Sequence, residues 1–303
     1  MRVLIAGVTG YLGGVLCASL IADGHEVIGT SRDARRAIES VPGLIRAVAW
    51  SPVDAPLPAD AFDGVDAVVN LVGEPVAGRW TDAKKRRIRE TRVVGTENLV
   101  RGIEAAPARP SVLVSASAVG YYGHRGDDEL TEPEPPGDDF LADVTEAWER
   151  AAEPATALGL RVVRLRTGLV VGRGSPFLRP QVPLFRLGLG GNLGSGKQWW
   201  PWVHIDDWVG IVRYVVDHET LAGPVNAASP APVRQREFAK ALGRVLRRPV
   251  LLPGPAFAIK LVLGEFASEV LTSKRVLPSV AVAAGYTFVF TDVDAALRDA
   301  LRR

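Results

Sequence analysis

Short apolar runs bounded by turn residues alternate with longer amphipathic stretches through the first half of the chain. Residues 2–6, 26–30, 46–50, 66–71, 111–116 and 161–166 read as strands, and 12–23, 81–106 and 139–158 carry helical spacing. The runs Val3-Leu4-Ile5-Ala6, Ala67-Val68-Val69-Asn70-Leu71 and Val112-Leu113-Val114-Ser115 are nearly continuous in apolar residues, the pattern of strands covered on both faces by helices. Alternation of this kind predicts right-handed crossovers and an α/β fold with a doubly wound parallel sheet. Beyond about residue 172 the pattern changes. Residues 176–204 are rich in Gly, Pro and Trp, and 249–257 hold three prolines. Pro224-Val225-Asn226-Ala227 reads as a strand returning to the first sheet. The tail, 237–303, carries two helical patterns and an aromatic strand-like run, Tyr286-Thr287-Phe288-Val289-Phe290. The expected division is a first domain over 1–175, completed by 203–228, with 176–202 and 229–303 forming a smaller C-terminal cap or substrate domain. No internal repeat or low-complexity linker separates the two.

Gly7-Val8-Thr9-Gly10-Tyr11-Leu12-Gly13 follows the first predicted strand and opens the first predicted helix. Glycines at this spacing allow a tight turn, close approach of a pyrophosphate and close helix–strand packing. The helix N-terminus then offers unpaired N–H groups to the phosphates. In this strand–turn–helix context the motif predicts a Rossmann-type dinucleotide site on Gly7, Thr9, Gly10, Tyr11, Leu12 and Gly13. An NAD site usually places Asp or Glu at the end of the second strand for the ribose 2′-hydroxyl. This chain has Thr30-Ser31-Arg32 there, with Arg35 and Arg36 close behind. Arginine makes charge-assisted bonds to a 2′-phosphate, so NADP is expected in preference to NAD, with Arg32 as the contact. The stretch Gly191-Asn192-Leu193-Gly194-Ser195-Gly196-Lys197 imitates a P-loop. Gln198 stands where Ser or Thr would hold magnesium and no strand leads into the stretch, so no triphosphate site is expected.

Composition narrows the class further. Hydrophobic residues at 47% and charged residues at 23% of 303 exclude disordered and fibrous chains. The formal charge of +2 is too small for a dedicated nucleic-acid binder. One cysteine, Cys17, excludes a disulfide framework, and no His/carboxylate spacing suggests a metal. Cys17 falls within the first helix facing the sheet, with no adjacent cation to make a reactive thiolate. The apolar run 3–6 is too short for a signal peptide. No stretch approaches the roughly 18 apolar residues of a membrane span; the best C-terminal candidate, 255–263, is cut by Lys260. The expectation is a cytoplasmic protein acting on a small molecule, with no nucleic-acid or membrane partner and an open oligomeric state.

Several motifs carry a resemblance. The glycine turn and Val203-His204-Ile205-Asp206-Asp207 resemble the short-chain dehydrogenase/reductase superfamily in its extended, epimerase-like branch. Asn70-Leu71-Val72-Gly73-Glu74-Pro75, Arg79-Trp80-Thr81, Ser115-Ala116-Ser117-Ala118-Val119-Gly120-Tyr121-Tyr122-Gly123 and Phe185-Arg186-Leu187-Gly188-Leu189-Gly190-Gly191 narrow this. With Gly264-Glu265 and Arg275-Val276-Leu277-Pro278, they resemble an atypical subgroup of epimerase-family proteins bearing a C-terminal domain of unknown function. The resemblance implies that Leu71, Val72 and Gly73 line the adenosine and pyrophosphate side. It also implies that Ser31 and Arg32 meet the 2′-phosphate and that Val170 presents backbone to the nicotinamide. Arg92 is then a cofactor contact, or else a solvated arginine in the basic run of its helix.

The superfamily's chemistry uses a Tyr, a Lys four residues later that lowers the Tyr pKa, and an upstream Ser that polarises the substrate oxygen. Ser117 matches the serine. Aligned on Trp148-Glu149, the Tyr and Lys positions hold Leu141 and Thr145. Tyr121 and Tyr122 are the nearest replacement acids, with Tyr121 either catalytic or a structural ring beneath the nicotinamide. His204 serves as a general base or orients a helix start that Asp206 or Asp207 caps. Trp199, Trp200 and Trp202 line an apolar pocket or anchor a lid. Two functions follow as expectations: an NADP(H)-binding oxidoreductase or epimerase acting on a small carbonyl or alcohol, or a non-catalytic NADPH-binding sensor.

Overall fold

A computed structural model describes residues 1–302. Seven strands form one parallel sheet: β1 (Arg2–Ala6), β2 (Glu26–Ser31), β3 (Arg46–Ala49), β4 (Ala67–Asn70), β5 (Val112–Ala118), β6 (Arg161–Thr167) and β7 (Gly223–Ala227). Their order across the sheet is β3-β2-β1-β4-β5-β6-β7, a doubly wound Rossmann-like α/β arrangement. The returning strand read from Pro224–Ala227 is β7, which pairs Val225 with Leu165 at the sheet's edge.

Both faces are covered. Alternate residues Val3, Ile5, Val69, Val112 and Val114 pack under Leu16, Cys17 and Leu20 of helix Tyr11–Ala22 and under Trp208 and Val212 of helix Ile205–Asp217. Leu4, Val68 and Leu113 point the other way, onto Leu99 and Ile103 of helix Asp82–Ala105 and onto Ala152. Cys17 is fully buried, and burial pushes its thiol up to about 11, in keeping with an inert core residue.

Some elements depart from expectation. The helix predicted over 139–158 stops at Ala152 and resumes as Pro154–Ala157, because a proline has no N–H to continue the ladder and clashes with the preceding turn. Helix Ala34–Ser40 was not anticipated; Asp33 starts it by accepting from the Arg36 N–H at 3.0 Å. The tail holds more than two helices: Gln235–Leu246, Ala256–Leu263, Ala267–Leu271, Ser279–Ala283 and Val293–Ala300. Tyr286–Phe290 is not a strand. Its N–H groups at Val289 and Phe290 donate to the Asp207 carboxylate, at 2.7 and 2.9 Å, in place of a neighbouring strand.

Candidate cofactor and catalytic site

The strand order reverses between β1 and β4, so the loops leaving their carboxyl ends diverge and open a groove. The glycine turn forms one wall. Gly7 has φ +86°, and a Cβ there would lie 3.1 Å from the Leu71 carbonyl oxygen, so the turn packs against the end of β4. Gly13 is tighter still: its Cβ would sit 2.5 Å from the Gly7 oxygen and 2.9 Å from Val8 Cα. Only hydrogen fits at that crossing of helix and strand. Gly10 caps the helix without any side chain, leaving the first-turn N–H groups for an external acceptor. Thr9 and Gly10 are exposed at the rim, while Leu12 packs on the core.

Tyr11 adds an independent sign. Its hydroxyl sits over Gly172, 2.5 Å from where a Cβ there would be, and it is buried without a hydrogen-bond partner. Burial, followed by the charge of Asp206, pushes this phenol up to about 12. Buried polar groups are nearly always satisfied, so an orphaned hydroxyl in a groove marks a place for a ligand oxygen or nitrogen. A glycine cradle, an uncapped helix start and an orphaned phenol together fit a dinucleotide.

Ser31 closes β2, and its Oγ accepts from the Asp33 N–H at 3.3 Å. Asp33 is spent on its helix cap, which leaves Arg32 exposed with no ion pair among the described residues. Leu71, Val72 and Gly73 leave β4 on the opposite wall, where the Val72 N–H is held by Asn70 Oδ1 at 3.3 Å. Arg92 is no solvated arginine. Its Nη1 donates to the Glu74 and Ile88 carbonyls at 2.9 and 3.1 Å, its guanidinium lies 5.0 Å from the Trp148 ring centroid, and burial lowers its pKa to about 10. A Cβ on Gly73 would meet its Cζ at 3.0 Å, so Arg92 braces the Gly73 loop from beneath. Val170 is buried in a short ladder between Leu169–Val171 and Trp202–His204, and its carbonyl already accepts from the Ser175 hydroxyl. A nicotinamide contact there has to share that oxygen.

The carboxyl end of β5 is tied into a buried network. Ser117 is 2% exposed, and its hydroxyl donates to Glu149 Oε1 at 2.6 Å. Glu149 is gripped by Arg166, with Nε–Oε1 at 2.8 Å and Nη2–Oε2 at 3.0 Å. Arg166 Nη1 donates to the Tyr122 hydroxyl at 3.0 Å and to the Glu132 carbonyl at 3.0 Å, and Tyr122 donates to Asn226 Oδ1 at 2.8 Å. Burial opposes the charge on Arg166, but the bonds and charge of Glu149 outweigh it and hold the guanidinium firmly protonated. Ser117 therefore belongs to a buried ion-pair network and offers no free hydroxyl donor to a substrate. Tyr121 is half-buried, its ring 3.5 Å from Arg166 Cζ. Leu141 and Thr145 face the Val119–Tyr122 turn, within 3.4 and 3.7 Å of a Cβ placed on Gly120, so no phenol or ammonium occupies the expected catalytic positions. A cavity of about 430 Å³ opens beside Leu141, lined by Trp80 and Phe140 on one side and Lys260 and Glu265 on the other.

His204 is fully buried. Its Nδ1 accepts from the Asp206 N–H at 3.2 Å, so the imidazole itself caps helix Ile205–Asp217. Asp207 does not cap; it holds the tail backbone instead. Trp200 packs on Phe177 and Phe238, and Trp202 donates to the Ala231 carbonyl at 3.0 Å, so both are core anchors rather than pocket walls. Glu149, Arg166 and Asn226 were missed. The available signal was Arg166 itself, an arginine at the carboxyl end of a strand whose neighbours Val162, Val163 and Leu165 are core residues.

Residues 3–228 match the NAD dependent epimerase/dehydratase family. The chain belongs to that family. Residues 255–300 match a domain of unknown function, DUF1731. Epimerase family protein MT2273 of Mycobacterium tuberculosis is 38% identical over 99% of this chain and 98% of its own length. The crystal structure of human epimerase family protein SDR39U1 with NADPH superposes with a TM-score of 0.88 at 33% identity, covering 99% of each chain. A nucleoside-diphosphate sugar epimerase from Corynebacterium glutamicum gives a TM-score of 0.79 at 35% identity, over 99% of this chain and 58% of that one. No helix among the described residues of this epimerase-family chain is long and apolar enough to cross a membrane.

Proposed function

We infer that this epimerase-family chain binds NADP(H) across the groove between β1 and β4 and acts as an oxidoreductase or epimerase on a small carbonyl or alcohol compound. The observation that carries the reading is the join of an uncapped glycine turn to a free arginine at the end of β2. In it, the Gly7–Gly13 turn and the first-turn N–H groups receive the pyrophosphate, Arg32 and Ser31 take the 2′-phosphate, and Leu71–Gly73 pack on the adenosine side. NADPH in the human SDR39U1 crystal structure supports the choice of dinucleotide. When bound, the nicotinamide supplies hydride transfer. Tyr121, beneath the Arg166 guanidinium, is the remaining side chain of this corner able to exchange a proton with a substrate oxygen. Ser117 and Glu149 fix the turn that carries Tyr121.

One observation favours a second reading. With Leu141 and Thr145 at the usual acid and lysine positions, the same groove suits a protein that holds NADPH as a sensing ligand without turnover. Titration of NADPH and NADH fluorescence, followed by a substrate screen beginning with nucleoside-diphosphate sugars, separates the readings. Arg32→Glu is expected to weaken NADPH binding at least tenfold, about 1.4 kcal/mol, and to leave NADH nearly unchanged. An unchanged preference refutes the 2′-phosphate assignment. Tight NADPH binding with no turnover and no effect of Tyr121→Phe on any substrate moves the conclusion to the sensor.

A further inference from the structure

The apolar stretch 255–263, interrupted by Lys260, is too short to span a bilayer, and the site described above makes no use of its outer face. In the fold it becomes helix Ala256–Leu263, held to the body by Ile259 alone among its buried residues. Phe257 and Leu261, one turn apart, are 75% and 76% exposed, and Val262 beside them is 72% exposed. A second segment lies alongside. The Gly254 N–H donates to the Asn192 carbonyl at 2.7 Å, Gly194 N–H donates to the Gly254 carbonyl at 2.8 Å, and Arg248 Nε donates to the Arg186 carbonyl at 2.9 Å. These bonds bring Leu187 and Leu251, 73% and 77% exposed, onto the same part of the surface. A cluster of this size marks an interaction surface.

Charge identifies the occupant. Between residues 176 and 205 the chain has three basic residues, Arg179, Arg186 and Lys197, and no Asp or Glu. Between 238 and 264 it has five, Lys240, Arg244, Arg247, Arg248 and Lys260, and again no acid. Of these, Arg244 alone has an acidic partner among the described residues, Asp294. The segments that carry these exposed apolar residues are thus basic, with Lys240, Arg247 and Arg248 lining one shallow pocket and Lys260 on the helix itself. A second copy docking through this face about a two-fold axis sets one basic patch against another, and like charges face to face cost affinity. Exposed leucines gain nothing from a sugar–phosphate backbone. An anionic bilayer surface accepts both features: apolar side chains enter the acyl boundary while Lys and Arg meet the headgroups.

We propose that the face formed by helix Ala256–Leu263 and the adjoining segments 184–189 and 247–254 docks the protein on anionic lipid surfaces. Lying on a surface is a different demand from spanning it. The test is co-sedimentation of the full chain with vesicles of phosphatidylcholine alone and of phosphatidylcholine with about a third phosphatidylglycerol. Binding is expected to the anionic vesicles only and to fall steeply as salt is raised. F257E/L261E is expected to lower it at least tenfold while NADPH titration and melting temperature stay at wild-type values. L187E/L251E, on the other segment, is expected to do the same, so a folding defect in one pair leaves the other decisive. Failure of the wild type to sediment overturns the proposal. So does a wild-type dimer by light scattering that either variant splits, which assigns the face to a second copy. Because NADPH binding is read separately, loss of the cofactor reading leaves this test intact.

Discussion

Replacing Ser117 by Ala separates a hydroxyl that meets substrate from one that holds the fold. The Ser117 hydroxyl donates to a carboxylate at 2.6 Å in a site where Glu149 and Arg166 side chains are 4% and 3% exposed. A hydrogen bond to a charged group contributes about 1.5–3 kcal/mol, and Glu149 keeps two arginine bonds after the change, so a loss near the lower end, about 1.5–2 kcal/mol, is expected. Glu149→Gln strips the charge facing a buried guanidinium that retains only neutral acceptors, and should cost about 3–5 kcal/mol. Since one change removes and the other weakens the same charge-assisted contact, the double variant is expected to fall short of the sum by about 1–2 kcal/mol. Urea unfolding followed by tryptophan fluorescence measures all three, with Trp148 adjacent to Glu149 in the chain. A Ser117→Ala variant that loses less than about 0.5 kcal/mol yet abolishes turnover on a substrate would restore a direct catalytic role. Strict additivity would equally sink the network reading.

Gly13→Ala places a Cβ 2.5 Å from the Gly7 oxygen, so it should push the helix off the turn, cost about 1–3 kcal/mol and weaken NADPH binding at least tenfold by fluorescence titration. His204 also makes stability depend on pH. Burial lowers its pKa below the ordinary 6.5, outweighing the attraction of Asp206 and Asp299, so the unfolded chain binds a proton there that the folded chain refuses. Stability contributed by keeping it neutral is present above pH 6.5 and declines as pH falls below that value. His204→Asn, which keeps an acceptor for the Asp206 N–H, should flatten this part of the profile in thermal melts between pH 7.5 and about 5; an unchanged slope refutes the assignment.

The positions of the first six strands and the glycine turn were legible in the chain because they are local: apolar runs, turn residues and helix spacing all lie within a few dozen residues. The same holds for the absence of an acid at the very end of β2, and for Leu141 and Thr145 where a Tyr and a Lys were due. What the sequence left open depended on contacts between distant positions. Ser117 and Glu149 lie 32 residues apart, and Tyr122 and Asn226 104 apart; the pairing of β5 with β6 and of β6 with β7, with helix Phe140–Ala152 packed on the sheet, brings their side chains into one network. The aromatic run at 286–290 has the composition of a strand, yet no strand neighbour lies beside it, and the buried Asp207 carboxylate takes its N–H groups. Likewise the basic and apolar residues of 184–189 and 247–262 look unremarkable along the chain, which totals +2, and become one surface only through the bonds between Asn192 and Gly254 and between Arg186 and Arg248. The sequence by itself determined the first six strands and the glycine turn, where the pattern is local. The tertiary structure alone decided which hydroxyls are free to do chemistry, since burying a charge obliges its neighbours to pair with it.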